Sequence, residues 1–297
     1  MNFNVIEYFS DCITNTQEVI IQNLGDINTN KVQSIVYALD IHYFNIANNN
    51  PQIIAIIMTE ELFASVESVN TNIVLEKFPK IAFWRLHNYL VNNGYMKIDF
   101  TPKIDISAKI HPSVIIDENV QIGKNVQIDA GTIILSYSII KENVHIHSGV
   151  VVGSDGMQVM KDENDQQVFI KHAGGVVIDE NVNVLSGANI SKAIDTSYTK
   201  VGKNSVISIH ASVGHNVIVG KNCMLGGNVL VGGSTIIHDN VWIGPSATIK
   251  DSIVIHKNAS IKLGSVVVKN VSASEEVSGN FAYKHTKRVR NFVKEQR

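Results

Sequence analysis

His215 and Gly233 are the residues of this sequence whose types and spacing best suit acyl transfer. They are eighteen residues apart in a segment that repeats every six residues, so three repeats separate them. If three repeats make one coil, the two residues occupy the same corner of successive coils, about 4.8 Å apart. The imidazole can then take a proton from an attacking amine while the glycine N–H binds the developing oxyanion. On position alone, the alternative that His215 is an ordinary polar corner residue stays open.

Other histidines give weaker candidates. His145 and His147 flank the inward-facing Ile146, so both point outward and can chelate a metal ion. No third ligand is evident beside them, which favours solvated surface histidines and predicts no metal site. His172 follows a long polar stretch and precedes Gly174, a placement from which it can reach a substrate.

Two aromatic residues form a candidate binding pair near the start of the chain. Tyr37 and Tyr43 are six residues apart, on a predicted strand and the turn after it. Aromatic rings that converge in this way can hold a flat base between them. Packing of both rings in the core is the alternative interpretation.

The element that positions His215 and Gly233 is a run of hexapeptides. An aliphatic residue returns every six positions, a period that fits neither an α-helix nor simple strand alternation. This period is typical of a parallel β-helix, in which each hexapeptide makes one short strand and one corner. The repeated residues are Ile104, Ile110, Ile116, Ile122, Ile128, Ile134, Ile140, Ile146, Val152, Ile178, Val184, Ile190 and twelve more from Val201 to Val267.

A column of asparagines supports the same fold. Asparagine tolerates the left-handed backbone conformation better than other non-glycine residues, so a stack of tight corners should select it. It recurs three residues after the aliphatic positions, at Asn119, Asn125, Asn143, Asn181, Asn204, Asn216, Asn222, Asn228, Asn240 and Asn258.

The period also predicts domain boundaries. Residues 1–101 lack it and indicate a small α/β domain, with an apolar strand at 53–58 and a helix that starts near Pro79. Residues 102–271 form the β-helix domain. Residues 272–297 form a tail with a short helix, basic at its start.

Two irregularities interrupt the β-helix domain. The polar loop 154–171 is expected to be functional, because a rigid solenoid has no structural need for it. Near residues 191–200, the spacing from Ile190 to Val201 is eleven residues where two hexapeptides would give twelve.

Composition excludes several classes of protein. The chain has 297 residues and a net charge of −2, which gives no reason to expect nucleic-acid or membrane-surface binding. No basic leader and no apolar run approaching about 18 residues is present. Two cysteines cannot build a disulfide framework, and Cys223 falls at an inward position. A buried reduced thiol and a cytoplasmic protein are the expectations.

The motifs together resemble a known family, the lipid A pathway enzymes that N-acylate UDP-3-O-acylglucosamine, over nearly the whole chain. The resemblance rests on the order and spacing of six segments, which are Ser34–Tyr43, Ala55–Leu62, Phe78–Leu86, Val152–Gly156, His172–Ile178 and Gly214–Gly220.

The resemblance implies a mainly β protein, with a left-handed parallel β-helix behind an α/β nucleotide-binding domain. It also implies a homotrimer with active sites between neighbouring subunits. By motif, Tyr37 and Tyr43 match the aromatic pair around the uracil, His215 the general base and Gly233 the oxyanion-binding amide.

Three further motif residues are expected to bind the substrate. They are Asp155, in the first segment of the loop, His172 after it, and Asn216 beside the catalytic histidine.

The sequence also departs from this family. A second histidine of the family corresponds to Asp251-Ser252-Ile253, and its Ile-Asp-Asn segment reads Ile207-Ser208-Ile209. The long C-terminal helices are absent, and Ser278–Lys284 resembles the closing segment of hexapeptide acetyltransferases that use acetyl-CoA.

These departures change the expected substrates. We expect an N-acyltransferase that moves an acetyl or short hydroxyacyl group from acyl-CoA, with acetyl-CoA favoured. The acceptor would be the amine of a UDP- or dTDP-linked amino or dideoxyamino sugar for surface polysaccharide such as O-antigen. One alternative is the lipid A N-acyltransferase itself, which uses acyl carrier protein. Another is a β-helix that binds a nucleotide sugar without catalysis.

Overall fold

Residues at the start of the chain, outside the six-residue period, form a five-stranded sheet with helices on both faces. The computed structural model describes residues 1–9, 12–13 and 18–279, with the single positions 282, 284, 286 and 294. The sheet order is β2-β7-β6-β5-β4, parallel except for the β2–β7 pair, and β1 pairs separately with β3. The strands are β1 (Phe3–Asn4), β2 (Cys12–Ile13), β3 (Ile20–Ile21), β4 (Asn23–Leu24), β5 (Ser34–Tyr37), β6 (Ile53–Met58) and β7 (Asn72–Leu75). The helices are a short 3-10 helix (Val5–Glu7), α1 (Ile41–Asn48), α2 (Glu60–Ala64) and α3 (Pro79–Asn92).

The predicted strand at 53–58 and the helix beginning at Pro79 are both confirmed. Strand β6 is apolar throughout because it is covered on both faces. One face packs with Leu86 and Leu90 of α3, and the other with Phe44 of α1. Tyr43 lies on α1, where the sequence predicted a turn, because the Asp40 side chain caps this helix at the Tyr43 amide.

The hexapeptides form the predicted left-handed parallel β-helix. One sheet contains β8 (Lys103–Ile104), β11 (Val120–Ile122), β14 (Ser138–Ile140), β19 (Gly175–Ile178), β22 (Tyr198–Val201), β25 (Ile218–Val219), β28 (Ile236–Ile237) and β31 (Val254–Ile255). The second contains β9 (Lys109–Ile110), β12 (Gln127–Ile128), β15 (His145–Ile146), β20 (Asn183–Val184), β23 (Val206–Ile207), β26 (Met224–Leu225), β29 (Trp242–Ile243), β32 (Ser260–Ile261) and β34 (Glu276–Val277). The third contains β10 (Ile115–Ile116), β13 (Ile133–Ile134), β16 (Val151–Ser154), β21 (Asn189–Ser191), β24 (Ser212–Val213), β27 (Leu230–Val231), β30 (Thr248–Ile249) and β33 (Val266–Val267).

The register of these sheets shows where residues are inserted. Paired strands are eighteen residues apart in most coils, as in Val213↔Val231. The offset is 38 at Ile140↔Ile178 and 23 at Ile178↔Val201. The interval of eleven between Ile190 and Val201 is therefore one six-residue step with five residues inserted. The comparison with two hexapeptides, which would give twelve, therefore does not apply, because no strand of the solenoid lies between β21 and β22.

The corners confirm the expected role of asparagine. Nine of the ten predicted asparagines have positive φ, near +60°, and Asn119 is the exception. The side-chain amides of successive corners also donate to one another, which satisfies polar groups along the edge of the solenoid. This ladder joins Asn125, Asn143, Asn181, Asn204, Asn222, Asn240 and Asn258.

The predicted loop contains a β-hairpin that belongs to the first of two compact units. That unit consists of residues 1–99, 157–173 and 194–196, and the other of residues 100–156, 174–193 and 197–297. The hairpin strands are β17 (Val159–Lys161) and β18 (Gln167–Phe169).

Helix α3 binds this hairpin through polar side chains. Arg85 forms ion pairs with Asp162 and Glu163, at 3.1 and 3.0 Å. Nε2 of the buried His87 lies 2.8 Å from the Lys171 carbonyl oxygen. These contacts give the loop a defined conformation despite its polar sequence.

Two further expectations concern burial and the tail. Cys223 is a fully buried free cysteine, as predicted. The predicted tail helix lies almost entirely outside the described residues. No helix in the described parts of the chain has the length and apolarity to cross a membrane.

Candidate functional site

Stacked corners of two neighbouring coils bring His215 and Gly233 together. The preceding strands pair in parallel, with Val213 opposite Val231, and both valines point into the core. His215 and Gly233 each follow two residues later, so each lies at the same corner of its coil. This is the placement that the eighteen-residue spacing predicted.

The imidazole of His215 lies directly against the Gly233 backbone. A Cβ atom added to Gly233 would be 2.4 Å from both Cε1 and Nε2 of the ring. Such distances are far inside van der Waals contact, so only glycine leaves room for this ring position. The Nε2–Cε1 edge therefore faces the backbone from which the predicted oxyanion donor projects.

The Gly233 N–H is available for an added ligand. Within the described residues, no acceptor receives a hydrogen bond from it. The corresponding amide of Lys221, two hexapeptides earlier, donates to the Asp239 carboxylate at 2.7 Å. The Gly233 N–H can thus donate to a ligand, whereas the N–H at the comparable Lys221 corner already donates to a side chain.

Asn216 fixes the orientation of the ring. Nδ1 of His215 is 3.2 Å from Oδ1 of Asn216, and the amide oxygen can only accept, so Nδ1 carries the proton. Asn216 is held in turn, because its N–H donates to Thr199 Oγ1 at 2.8 Å and its side-chain NH₂ to Ser197 Oγ at 3.1 Å. Nε2 is then the basic nitrogen, on the edge that faces Gly233.

The surroundings keep the imidazole neutral. Burial lowers the pKa of His215 below its ordinary value, while the hydrogen bond to Asn216 and the charge of Asp251 oppose that shift. A neutral imidazole near pH 7 is the form that can accept a proton. Desolvation is the larger effect, so the ring is in its basic form.

Sequence reasoning missed one charged neighbour of His215, Asp251, and one hydrogen-bond partner of Asn216, Thr199. Asp251 is eighteen residues after Gly233, one coil further along the same corner, so the spacing rule could have found it. Thr199 lies seventeen residues before Asn216, next to a five-residue insertion that hides the register.

The predicted aromatic pair lies in the first unit. Tyr37, at the end of β5, is partly buried, and its ring is 5.3 Å from that of Phe83. Tyr43 is exposed on α1. Burial, and to a lesser degree the neighbouring Tyr43, raise the pKa of Tyr37. One ring is thus anchored in the core and the other is open to solvent.

The other predicted substrate-binding residues have separate surroundings. Asp155 is exposed and forms an ion pair with Lys192 at 3.0 Å. His172 is buried, and its Nδ1 lies 3.2 Å from the Ile170 carbonyl oxygen. Asp155 belongs to the β-helix unit and His172 to the first unit.

Known proteins share the repeat of this chain. Residues 119–154 and 198–233 match the family model for the bacterial transferase hexapeptide (six repeats), and the second segment includes His215 and Gly233. The chain therefore carries hexapeptide-transferase repeats. No curated protein matches the sequence significantly.

Solved structures share the β-helix fold. A UDP-N-acetylglucosamine acyltransferase from Francisella novicida is 23% identical, with a TM-score of 0.50 over 64% of this chain and 71% of that one. The corresponding enzyme from Campylobacter jejuni is 21% identical, with a TM-score of 0.49 over 62% of this chain and 81% of that one. The likeness to the first of these structures, at a TM-score of 0.50, establishes the fold alone.

Proposed function

We propose that the chain is a nucleotide-sugar N-acyltransferase, which moves an acyl group from a thioester to the amine of a nucleotide-linked amino sugar. The observation that supports it best is the His215 ring against Gly233, next to a backbone amide with no described acceptor. The hexapeptide-transferase repeats and the acyltransferases that share the fold support the same reaction class.

In the proposed reaction the amine nitrogen attacks the thioester carbonyl carbon. Nε2 of His215 takes the proton that the nitrogen releases as the C–N bond forms. The Gly233 N–H donates to the carbonyl oxygen while that oxygen carries the negative charge. The intermediate then breaks its C–S bond, and the imidazolium returns the proton to the departing thiolate. The products are an amide and a free thiol.

Each group has an expected share of the rate. A positioned general base contributes roughly 10²–10⁴-fold. One oxyanion donor lowers the barrier by about 3 kcal/mol. If the amine binds already neutral, the share of the base shrinks and orientation contributes more.

The remaining predicted residues receive binding roles in this proposal. Tyr37 and Tyr43 hold the base of the nucleotide in domain 1–101, and Asp155 and His172 contact the sugar. Asn216 positions the imidazole. The roles follow from the motifs, from the exposure of Tyr43 and Asp155, and from the hydrogen bonds of Asn216.

The proposed donor is acyl-CoA, with acetyl-CoA favoured, and the proposed assembly is a homotrimer in the cytoplasm. A buried free thiol at Cys223 fits a reducing compartment. The lipid A N-acyltransferase that uses acyl carrier protein is the alternative, supported by the motifs around His172 and His215.

The test is a thiol-release assay. Acetyl-CoA, longer acyl-CoAs and acyl carrier protein thioesters are each combined with UDP- and dTDP-amino sugars, including UDP-3-O-acylglucosamine. We expect turnover with a short acyl-CoA and a dideoxyamino sugar. Turnover only with a carrier-protein thioester and UDP-3-O-acylglucosamine would establish the lipid A alternative. Binding of the sugars without any turnover would favour a β-helix that only binds.

Variants of two histidines complete the test. His215→Ala should lower kcat by about 10²–10⁴-fold, because it removes the base. His238→Ala is the matched control, since His238 is an exposed histidine of the same β-helix. Equal rates for both variants would remove His215 from the mechanism.

A further inference from the structure

Asp129, His145 and His147 place three metal-ligating side chains together on the outside of the β-helix. One ligand atom of each lies within 4.8 Å of the other two. Nε2 of His145 is 3.0 Å from Oδ2 of Asp129, and Nδ1 of His147 is 3.7 Å from the same oxygen. Asp129 precedes His147 by eighteen residues, so only the stacking of coils brings the third ligand to the histidines.

The backbone of all three residues is held by the β-helix. Strands β12 and β15 pair in register, with Ile128 opposite Ile146. The amide of Asp129 donates to the Ile146 carbonyl, and the amides of His145 and His147 donate to carbonyls of the next coil, all at 2.8–3.0 Å. The ligands therefore sit on a fixed frame, and only their side-chain torsions need to adjust.

The distances match those of a coordination sphere. Zinc binds imidazole nitrogen and carboxylate oxygen at about 2.0–2.2 Å, so two ligands at the tetrahedral angle are roughly 3.4 Å apart. The two measured separations from Asp129, 3.0 and 3.7 Å, lie on either side of this value. The three side chains are 30–42% exposed, so an ion can enter from solvent and a fourth position stays open to water.

We propose that Asp129, His145 and His147 bind one divalent transition-metal ion, with zinc or a similar imidazole-preferring ion as the ligand. Two imidazoles and one carboxylate with an open position form a ligand set typical of such ions. The ion would join Asp129 of one coil to the two histidines of the next. This proposal does not depend on the acyltransferase function.

The two histidine side chains lie side by side. Their imidazole rings are stacked, with centroids 3.9 Å apart. Both rings are therefore close enough to each other and to Asp129 to share one ion.

The test measures zinc binding to the full chain without an affinity tag. The protein is dialysed against a chelator and titrated with zinc by calorimetry at pH 7. We expect one ion per chain. Asp129→Ala and His147→Ala should each weaken binding by at least about 10–100-fold, since even loss of an outer partner of a ligand costs that much.

The control variant is His238→Ala. His238 and His256 form a second stacked pair, with centroids 5.3 Å apart, and do not belong to a three-ligand cluster among the described residues. This variant should bind zinc as the wild type does. Absence of saturable binding, or equal binding by the wild type and the ligand variants, would overturn the proposal.

A second measurement does not depend on variants. X-ray absorption at the zinc edge of the wild-type protein should show two imidazoles and one or two oxygen ligands. A spectrum with no imidazole, or with one, would contradict the site. Zinc should also raise Tm, since it binds the folded state and joins two coils.

Discussion

At the scale of single residues, His215 and Gly233 show that a corner of the β-helix is completed by the residue one coil away. At Lys221 the next coil supplies Asp239, whose carboxylate accepts from the corner amide. At His215 the next coil supplies a glycine, which leaves room for the ring. The residue one coil away thus differs between the two corners: it supplies an acceptor for the Lys221 amide and free space for the His215 ring.

The pKa of His215 leads to a pH prediction. Burial lowers it, so the imidazole should titrate below the ordinary histidine value of about 6.5. Because the neutral form is the base, kcat/KM should fall as the pH decreases, with its midpoint below pH 6.5. An NMR titration of the His215 Cε1–H, assigned by comparison with His215→Gln, measures the midpoint directly. A midpoint above 6.5 would refute the prediction.

Substitution of Asn216 should shift the midpoint of the His215 titration. Its oxygen accepts from Nδ1–H and favours the imidazolium, so Asn216→Gly should lower the pKa of His215 further. Glycine keeps the positive φ of the corner, 57° at Asn216. Asn228→Gly, at a corner with φ of 56°, is the control and should leave the titration unchanged.

Gly233→Ala tests the contact between the ring and the backbone. The added Cβ would lie 2.4 Å from the imidazole and displace it, and misplacement of about 1 Å can cost about 10²-fold in rate. We expect kcat/KM to fall by about this factor with little change in Tm. Gly227→Ala is matched, because Gly227 lies at the corresponding corner and its Cβ would meet the Ile209 side chain at 3.1 Å and the Ile209 carbonyl oxygen at 3.5 Å. Similar losses in both variants would show a general effect of corner substitution.

At the scale of elements, the hairpin of β17 and β18 shows what the sequence could not predict. Its outward residues are exposed and its turn is charged, so no apolar alternation marks the strands. Its conformation depends on Arg85 and His87, which are more than seventy residues away in sequence. Contacts between such distant polar residues leave no local pattern. The asparagine corners were predictable for the opposite reason. A positive φ at a corner favours asparagine at that same position, so the signal is local in the sequence.

His87 links the stability of this element to pH. Burial lowers its pKa, and the hydrogen bond to Lys171 and the charge of Asp195 only partly oppose the shift. The unfolded chain therefore binds a proton at a higher pH than the folded chain. The contribution of neutral His87 to the free energy of unfolding is complete above about pH 6.5 and is lost as the pH falls below it.

Urea unfolding at several pH values tests this link. The chain has two tryptophans, and Trp84 is in contact with His87, so Trp242→Phe leaves one local reporter. In that background, the free energy of unfolding should fall between pH 7 and pH 5 more steeply with His87 than with His87→Gln. His42→Gln removes an exposed histidine of the same unit and should keep the steep dependence. Parallel curves for all three proteins would exclude His87 as the cause.

At the scale of the whole molecule, one periodicity predicted most of the architecture. The aliphatic residues from Ile104 to Val267 predicted the stacked strands, and from Ile122 onwards each of them is buried at the same inward position. The same spacing placed His215 beside Gly233. The period did not predict the register where residues are inserted, at 192–197. The position of Asp129 beside His145 and His147 was also not predicted, although the same spacing gives it. The roles of the site residues remain predictions, since they depend on ligands that periodicity does not describe.

The outer faces of one coil carry exposed apolar side chains. Met224, Leu230 and Ile236 occupy the same outward position on the three faces, and all are exposed apolar residues. Apolar residues at this position are better suited to a partner than to water. A homotrimer, which the family resemblance implies, would cover such residues, so we expect sedimentation equilibrium to give three times the 32.6 kDa mass of one chain.

Glutamate substitutions at these three positions distinguish the faces. In a closed ring of three, each subunit meets its neighbours through two different surfaces, so one face can stay in solvent. A buried unpaired carboxylate is costly, so Glu on a contacting face should dissociate the ring. We expect at least one of Met224→Glu, Leu230→Glu and Ile236→Glu to give the monomer mass and at least one to keep the wild-type mass. A monomeric wild type would overturn the trimer, whereas three unchanged variants would place its contacts outside this coil.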